Sequence, residues 1–497
     1  MELAKSLLNK NAYPERVKRI DMKETHISWV FLTGKHAYKV KKPVNYGFLD
    51  FSTLEKRKHY CEQELKLNKR LCKDIYLSVV PITRINNTIK LGGTGKIIDY
   101  ALKMRQLPQS RIMSKLLGER KINKNHISRI AKIVADFHRR SDKVANRHGS
   151  VKIRKINWDE NFQQTREFAG KSISKKQFDF IKDKIDNFIK YNKSLFNKRI
   201  KEKKIRDCHG DLHSGNIFIA DKIYIFDAIE FNERFRYGDV AAEVAFMAMD
   251  LDFHHREDLS RHFVNEYIKY SKDEELLKLL NFYKCYRAYV RGKVISFLKN
   301  EKSYKLAKKY FGLSEKYAKL IISEPSLIVM CGLSGSGKSW LALEMAKYGD
   351  FEIIRSDIVR KQLAKRKKTK SGYSKGIYTK EFTEKTYVEM LKLARKLLKT
   401  KSVILDATFA RNEHRKLAEN LANVFSAPFA IAHCTAPENI ILKRLRGRRG
   451  DISDADVAIY QQQKKHFQTP AGKNVVKIDT SNVVLVERGI EKVFNTL

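Results

Sequence analysis

The stretch from Gly332 to Ser339 limits the possible folds of this chain more than any other. It reads Gly-Leu-Ser-Gly-Ser-Gly-Lys-Ser and matches the pattern Gly-x-x-x-x-Gly-Lys-Ser. An apolar run from Leu327 to Cys331 comes directly before it, and apolar residues at helical spacing follow it. A buried strand, a glycine-rich turn and a helix in this order predict a phosphate-binding loop, or P-loop.

Each residue type in this loop has a physical reason. Glycines let successive backbone N–H groups wrap around phosphate oxygens, and the following helix adds the positive end of its dipole. Lys338 is expected to reach the β- and γ-phosphates of ATP, and Ser339 to bind Mg²⁺. The alternative is an ordinary glycine- and serine-rich turn. The residues expected to hold the nucleotide here are Gly332, Gly335, Ser336, Gly337, Lys338 and Ser339.

The length and the cysteines place further limits. A chain of 497 residues is too long for one ordinary core, so we expect two or three domains. Six cysteines are scattered without a Cys-x-x-Cys pair, which favours reduced thiols over disulfides or a zinc site. The N-terminus lacks the apolar run of a signal peptide, and no window reaches transmembrane length. These features predict a soluble, cytoplasmic protein.

The charge balance is strongly basic. Lys and Arg number 101 against 56 Asp and Glu, so the formal net charge is +45. One explanation is that the surface binds nucleic acid or another anionic partner. The other is a lysine-rich proteome, because the lysines are spread along the whole chain. Under either explanation, long-range repulsion disfavours a cationic ligand.

The N-terminal part combines short strand-like runs with helical segments. Residues 26–33 and 36–41 flank a two-residue turn, as in a β-hairpin, and residues 54–71 have helical spacing. Residues 99–105 read as another strand, and helical patterns dominate beyond them. A small strand-rich lobe followed by a larger helical lobe is the outline of a bilobal protein-kinase-like fold.

The C-terminal part alternates apolar strands with helices, which predicts a parallel α/β sheet with helices on both faces. We therefore expect a multidomain protein of mixed α/β and α+β class. Its expected divisions are a kinase-like domain at 1–312 (small lobe about 1–105, helical lobe about 106–312), a linker at 313–325 and a P-loop domain at 326–497.

A second motif lies in the expected helical lobe. Residues 207–219 read Asp-Cys-His-Gly-Asp-Leu-His-Ser-Gly-Asn-Ile-Phe-Ile, and Asp227 follows a further apolar strand. An Asp, an Asn five residues later and an Asp after a strand form the pattern of kinase phosphoryl transfer. Asp211 would accept the proton of the attacking hydroxyl, and Asn216 and Asp227 would bind Mg²⁺. The alternatives are a turn held by Asx hydrogen bonds and a kinase-like lobe without activity.

The sequence His-Gly-Asp-Leu-His-x-x-Asn followed by Phe-Asp resembles the aminoglycoside phosphotransferase family. The resemblance covers about residues 25–300, and Gly-Asp-Val at 238–240 stands where the family usually has Gly-Asp-Pro. It implies a kinase-like fold, with Lys39 on the α- and β-phosphates and Glu64 as its helix partner. Lys41 and Glu62 are neighbouring candidates for these roles.

The family name does not fix the substrate. Aminoglycosides are polycations, and long-range repulsion by a chain of net charge +45 opposes their binding. We therefore predict no aminoglycoside phosphorylation.

In the C-terminal part, residues 402–408 read as a Walker B-like strand with Asp406 placed to orient Mg²⁺. The strand order resembles that of small P-loop kinases: gluconate kinase, zeta toxin and the phage-type polynucleotide 5′-kinase. This resemblance implies that Asp357 activates the acceptor hydroxyl and that Arg360 grips the acceptor. Arg444 and Arg448 would act as lid arginines. The alternatives are a helix N-cap for Asp357 and a solvated basic helix for the two lid arginines.

Asp-x-x-Arg after an Arg is the pattern of polynucleotide 5′-kinases, so a nucleic acid with a 5′-hydroxyl is one acceptor hypothesis. The same framework serves small alcohols and sugars. The only dense basic run, at 361–370, is either a solvated loop or a contact for a polyanion.

The whole arrangement resembles bacterial two-domain proteins described as bifunctional aminoglycoside-phosphotransferase-like and ATP-binding proteins. We expect a phosphotransferase with two ATP·Mg²⁺ sites, each moving a γ-phosphoryl group to a hydroxyl of a small molecule or a nucleic acid. Two alternatives stay open. One is an ATP-sensing regulator that binds nucleic acid, and the other is a toxin-like kinase.

Overall fold

The computed structural model describes residues 2–86, 88–364, 379–447 and 456–497. The chain divides into two compact units. The first consists of Met1–Ile153 and Phe196–Asp273, and the second of Arg154–Leu195 and Glu274–Leu497. Within the described ranges, no helix is both long and apolar enough to cross a membrane.

The first unit begins with a six-stranded antiparallel sheet. Its strands are β1 (Asp21–Glu24), β2 (Ser28–Leu32), β3 (His36–Lys41), β4 (Tyr76–Ile85), β5 (Thr88–Leu91) and β6 (Lys96–Arg105). They lie in the order β1-β2-β3-β6-β4-β5. The predicted hairpin is confirmed as β2 and β3, and Gly34 in its turn has a φ of 95°, which favours glycine. Helix α2 (Leu54–Asn68) packs against β4 and β6.

The remainder of the first unit is mainly helical, which confirms the kinase-like outline of a strand-rich lobe followed by a helical one. Helix α4 (Lys124–Arg140) packs against α10 (Glu257–Ser271), and α10 also contacts the almost completely buried α9 (Val240–Phe253). The other elements are α1 (Glu2–Ser6), α3 (Met113–Gly118), β7 (Ile205–Asp207), β8 (Ile217–Ile219), β9 (Ile223–Ile225), α8 (Glu233–Arg236) and β10 (Tyr237–Asp239).

The second unit contains a five-stranded parallel sheet. Its strands are β11 (Leu327–Cys331), β12 (Phe351–Arg355), β13 (Ser402–Asp406), β14 (Phe429–Thr435) and β15 (Val475–Asp479). They lie in the order β12-β13-β11-β14-β15, and all neighbours are parallel. Every residue of the central β11 is buried, as expected for a parallel strand covered on both faces. The apolar runs at 327–331 and 402–408 are confirmed as β11 and β13, and β15 was not predicted.

Helices cover both faces of this sheet, as predicted. Ile328 and Met330 of β11 belong to a core with α13 (Lys338–Ala346) and α19 (Val483–Thr496). Leu327 and Val329 point to the opposite face, because successive strand side chains alternate. They belong to a core with α15 (Lys380–Leu397) and α16 (Asn412–Val424). The sheet is further accompanied by α14 (Ser356–Leu363), α17 (Glu438–Arg446) and α18 (Val457–His466).

Four long helices also belong mainly to the second unit: α5 (Val151–Thr165), α6 (Lys175–Tyr191), α11 (Leu277–Ser296) and α12 (Glu301–Lys319). The short α7 (Lys193–Lys201) and α5 contain points where the chain passes from one unit to the other. Helix α12 packs on α6 and α11, and it covers residues 313–319 of the expected linker. Leu320 and Ile322, just beyond α12, join the core of the parallel sheet. The domain boundaries drawn from the sequence stay a prediction.

Candidate active sites

The P-loop joins the central strand of the parallel sheet to α13. The backbone reaches a φ of 144° at Gly332, 80° at Gly335 and 85° at Gly337, a region that glycine alone adopts readily. A Cβ atom on Gly332 would lie 2.4 Å from the carbonyl oxygen of Cys434, and one on Gly337 would lie 2.8 Å from Thr480 Oγ1. The loop therefore needs glycine for its conformation and for its close packing.

Neighbouring segments hold the outside of this loop. The Ser334 N–H donates to Gln463 Oε1 over 2.9 Å, and Thr480 Oγ1 donates to the Ser336 carbonyl over 2.8 Å. The Ser336 hydroxyl is buried and has no hydrogen-bond partner among the described residues. A fixed glycine backbone with an unused buried hydroxyl at the start of a helix fits a phosphate group.

Lys338 occupies the first position of α13. Its ammonium donates to the carbonyl of Leu333 in the same loop over 2.9 Å. Burial lowers the pKa of Lys338, and the carboxylate of Asp406 offsets only part of this effect. A phosphate oxygen in place of the carbonyl would supply the negative charge that this buried ammonium lacks.

A cavity of about 470 Å³ opens beside the loop. Asp406 at the end of β13, Asp357 of α14 and Ser339 of α13 all line it. Asp406 Oδ2 lies 3.3 Å from Arg355 Nε, and Asp357 Oδ1 lies 3.6 Å from an Arg360 nitrogen. Hydroxyl and carboxylate oxygens are the ligands that Mg²⁺ prefers, so Ser339 and Asp406 fit this ion.

The structure brings together most of the residues predicted for this site. Gly335, Gly337, Lys338, Arg360 and Arg444 also line the cavity, whereas Gly332 and Ser336 do not. Arg444 donates to the carbonyl of Gly335 over 3.3 Å and to Thr480 Oγ1 over 2.9 Å. Arg448 lies outside the described residues. The N-cap of α14 is Arg355, so the alternative role of Asp357 as N-cap is wrong.

The first unit holds a separate group of charged residues. Lys39 Nζ on β3 lies 2.8 Å from Glu64 Oε1 on α2 and 2.5 Å from Asp227 Oδ1. Lys41 Nζ, two residues along the same strand, lies 2.7 Å from the other oxygen of Glu64 and also contacts Glu230. Both lysines suggested by the sequence therefore contact Glu64, and Lys39 also contacts Asp227. Glu62 is half exposed and pairs only loosely with Lys58, at 4.0 Å.

Burial and charge act in opposite directions in this group. Burial opposes the positive charge of Lys39, but Asp227 and Glu64 raise its pKa well above the usual value. Burial likewise opposes the negative charge of Glu64, and the two lysines lower its pKa. The pair between Lys39 and Glu64 is thus held in its charged form.

The motif around Asp211 forms a compact loop. The Asn216 side-chain amide donates to the Asp211 carbonyl and to Asp211 Oδ2, both over 3.0 Å. His213 Nε2 lies 3.4 Å from the same carboxylate oxygen. Asp227 adopts a φ of 65°, which is uncommon for a residue other than glycine and typical of functional sites. Side-chain hydrogen bonds therefore shape this turn, and the same hydrogen bonds bring the motif residues Asp211 and Asn216 together.

Comparisons with known proteins extend these observations. The family described as AAA domain matches residues 327–470, a range that includes the P-loop and Asp406. Protein Rv2004c of Mycobacterium tuberculosis is 31% identical over 456 residues, which cover 88% of this chain and 88% of that protein. The chain belongs to the family of Rv2004c. Because this alignment is longer than either compact unit, the family includes residues from both.

Solved structures match smaller parts of this family member. A gluconokinase from Sinorhizobium meliloti is 19% identical, covers 34% of this chain and 93% of its own, and gives a TM-score of 0.25. A choline kinase from Cryptosporidium parvum is 11% identical, covers 64% of this chain and 96% of its own, and gives a TM-score of 0.42. At these identities and TM-scores, neither structure indicates which substrate this chain uses.

One residue that the sequence did not single out supports the Asp211 loop. Glu243, buried in α9, accepts hydrogen bonds from the N–H groups of His209 and Gly210, over 3.1 Å and 2.7 Å. Its Oε2 also lies 2.6 Å from His138 Nε2. Burial alone would raise the pKa of Glu243, but these partners lower it to about 2. Glu243 is the single carboxylate among the otherwise apolar residues 240–249, and this was the signal for it.

A second missed group lies in the cavity of the second unit. His414 is buried and stacks on Tyr387, with 4.1 Å between ring centroids. Its Nε2 lies 2.9 Å from Glu384 Oε2. Lys380 and Arg411 also line the cavity. No local motif marks these residues, because they come from α15, α16 and the segment before α16.

Proposed function

We propose that the chain is an ATP-dependent phosphotransferase, and that its second unit transfers the γ-phosphoryl group of ATP to a hydroxyl. The observation that carries this proposal is the cavity shared by the P-loop, Asp357 and Asp406. A phosphate-binding loop that holds only a nucleotide would not need a further carboxylate in the same cavity. Asp357 on α14 supplies such a group where an acceptor could enter.

In the proposed reaction, the acceptor oxygen bonds to the γ-phosphorus while the bond to the β,γ-bridging oxygen breaks and ADP leaves. Asp357 accepts the proton of the hydroxyl, and Lys338 neutralises the transferring phosphoryl oxygens. Arg444 holds the loop through Gly335 and Thr480. Mg²⁺, with Ser339 and Asp406 as the residues that would hold it, would supply charge neutralisation across the phosphates.

The test is transfer of label from γ-labelled ATP by the full chain, with Asp211→Asn present to silence the first unit. We expect Lys338→Ala to reduce transfer at least about 100-fold, since positioning and charge neutralisation carry most of this chemistry. Lys347→Ala is the matched control, because Lys347 ends the same helix and pairs on the surface with Glu344. Equal transfer by Lys338→Ala and the control would contradict the proposal.

We propose the same chemistry for the first unit as a second activity. The observation that favours it is the chain of contacts from Glu64 through Lys39 to Asp227, beside a loop that pairs Asp211 with Asn216. Asp211 would accept the acceptor proton, Lys39 would bind the nucleotide phosphates, and Asn216 and Asp227 would hold Mg²⁺. Aminoglycosides are poor candidates as acceptors because the chain carries a net charge of +45.

This second activity is tested in a Lys338→Ala background. Asp211→Asn should abolish the remaining transfer of label, whereas Asp221→Asn, at a surface aspartate of the same unit, should leave it unchanged. If transfer in the Lys338→Ala background survives Asp211→Asn, the role given to Asp211 is wrong.

A further inference from the structure

Several charged side chains outside the P-loop line the cavity, and we call this part of the lining the cavity wall. Arg355 and Arg360 come from β12 and α14, Lys380 from the first turn of α15, and Arg411 from the residue before α16. The carboxylates on the same lining are Asp357, Glu384 and Asp406. The ligands that the cavity wall can bind depend on which of its cations are already paired with a carboxylate.

Two of the carboxylates face arginines across short gaps. Asp406 is 3.3 Å from Arg355, and Asp357 is 3.6 Å from Arg360. These pairs leave Glu384, the third carboxylate of the lining, as the one that Lys380 and Arg411 could share.

Glu384 is instead paired with His414. Both of its oxygens lie within 3.0 Å of Nε2 of the buried His414. Arg411 forms only a long ion pair with Glu384, at 3.9 Å and without a hydrogen bond, between two side chains that are each close to half exposed. Among the residues that the structure describes, Lys380 has no ion pair or side-chain hydrogen bond.

Lys380, and Arg411 with its long and exposed ion pair, are thus the two lining cations that a ligand can engage most easily. An ammonium and a guanidinium on one cavity suit an anionic oxygen group, and guanidinium binds phosphate and carboxylate with two parallel hydrogen bonds. A neutral sugar or alcohol would form no charge-assisted hydrogen bond of this kind with them. The strongly positive chain would also raise the local concentration of anionic acceptors.

We propose that the acceptor of the second unit is an anionic alcohol, whose phosphate, sulfate or carboxylate group is bound by Lys380 and Arg411 while Asp357 faces its hydroxyl. This inference rests on the phosphotransferase function proposed above and adds the chemical class of the acceptor. The anionic group can belong to a small metabolite or to the first internucleotide phosphate of a nucleic acid with a 5′-hydroxyl. Both sources present the same chemistry to the two cations.

The experiment uses the full chain carrying Asp211→Asn, γ-labelled ATP and a cell extract divided on an anion exchanger. The retained fraction contains anionic acceptors, and the unretained fraction contains neutral and cationic ones. We expect label to enter the retained fraction. Nuclease treatment before labelling distinguishes the sources, since it changes the labelled product only if the acceptor is a nucleic acid.

The purified acceptor is then used to compare variants. Lys380→Gln/Arg411→Gln should raise the KM of this acceptor at least about tenfold and change kcat little. Charge-assisted contacts remote from the reacting oxygen contribute mainly to binding of the acceptor and little to the chemical step. The matched control is Lys385→Gln/Lys416→Gln. It removes the same charge from exposed positions of α15 and α16 outside the cavity lining. The control should keep the KM of the parent chain.

Label that enters only the unretained fraction would overturn the anionic-acceptor proposal and leave the phosphotransferase function intact. An anionic acceptor whose KM is equal in the two double variants would overturn the role of Lys380 and Arg411. Absence of Lys338-dependent label from every fraction would overturn the proposed function, and this inference with it.

Discussion

The ammonium of Lys338 donates a hydrogen bond to the carbonyl of Leu333, inside the loop expected to receive phosphate. The loop thus uses one of its own backbone oxygens as a partner for its only lysine. A phosphate oxygen bound in the loop would join or replace this contact, and the buried, weakly compensated charge favours such a partner.

This relationship predicts the pH dependence of nucleotide binding. Burial lowers the pKa of Lys338, so its proton is lost at a lower pH than that of an exposed lysine. Affinity for a fluorescent ATP analogue should therefore fall as the pH rises from 7 towards 10. Lys338→Arg keeps its charge throughout this range, so its affinity should not show this decline. An affinity of the parent chain that stays constant up to pH 10 would contradict the prediction.

Glu243 should control the order of the Asp211 loop. Glu243→Ala leaves the N–H groups of His209 and Gly210 buried without their acceptor, at a cost of about 3 kcal/mol in the stability of the first unit. Hydrogen exchange measured on peptides covering 205–219 should become faster, while peptides from the parallel sheet serve as the internal control. Unchanged exchange at 205–219 would rule out this role.

The same residue gives an acid-dependent stability. Its pKa falls from 4.5 to about 2 on folding, so the stabilisation is complete above pH 4.5 and is lost as the pH falls towards 2. Glu243→Gln removes the titrating group, so the first unit of this variant should lose less stability between pH 5 and pH 3. Urea unfolding at several pH values measures the difference, and parallel pH profiles would contradict it.

Substitution of Lys41 should mainly affect stability, whereas substitution of Lys39 should mainly affect phosphotransfer. Lys41 is almost completely buried between Glu64 and Glu230, so Lys41→Met should destabilise the first unit by about 3 to 5 kcal/mol. Adding Glu230→Gln should recover much of this loss, because it removes the carboxylate left without its cation. Lys39→Met should instead act mainly on activity: it should reduce phosphotransfer by the first unit and cost less stability than Lys41→Met. A double variant no more stable than Lys41→Met would show that the Lys41–Glu230 pair is not the cause.

Gly337 offers a test of the P-loop conformation. In Gly337→Ala the new Cβ would lie 2.8 Å from Thr480 Oγ1 at a φ of 85°, which should cost about 1 to 3 kcal/mol and weaken ATP binding. Gly312→Ala is the control. Its Cβ meets nothing within 4 Å in the exposed face of α12, so this variant should gain about 0.5 to 1 kcal/mol. Thermal unfolding and an ATP titration measure both effects, and a Gly337→Ala variant that behaves like the control would contradict the prediction.

The sequence predicted the parts of both sites that lie in continuous motifs. The P-loop and the Asp211–Asn216 pair are local, so spacing alone indicated them. Glu243 and His138 are far apart in sequence and meet only after α4 and α9 pack into the helical lobe. No spacing rule could have joined them.

The proximity of Lys380 and Arg411 was hidden from the sequence for a related reason. The sheet places β13 between β12 and β11, so segments that follow β12 and β13 are adjacent in space although many residues separate them. Lys380 and Arg411 therefore line one cavity without sharing a motif. Strand β15 was missed because only its alternate residues are buried, whereas the inner strands show continuous apolar runs.

The two compact units are interleaved along the chain, and this order has a consequence for synthesis on the ribosome. Residues 154–195 emerge before the first unit is complete at residue 273, but their own sheet is translated only after residue 326. Helices α5 and α6 thus wait for α11 and α12, which they contact and which are translated only from residue 277 onwards. A fragment starting at residue 326 would lack these helices together with α11 and α12. A shortened form of the protein should therefore either contain residues 154–195, residues 274–322 and the parallel sheet, or lack all three.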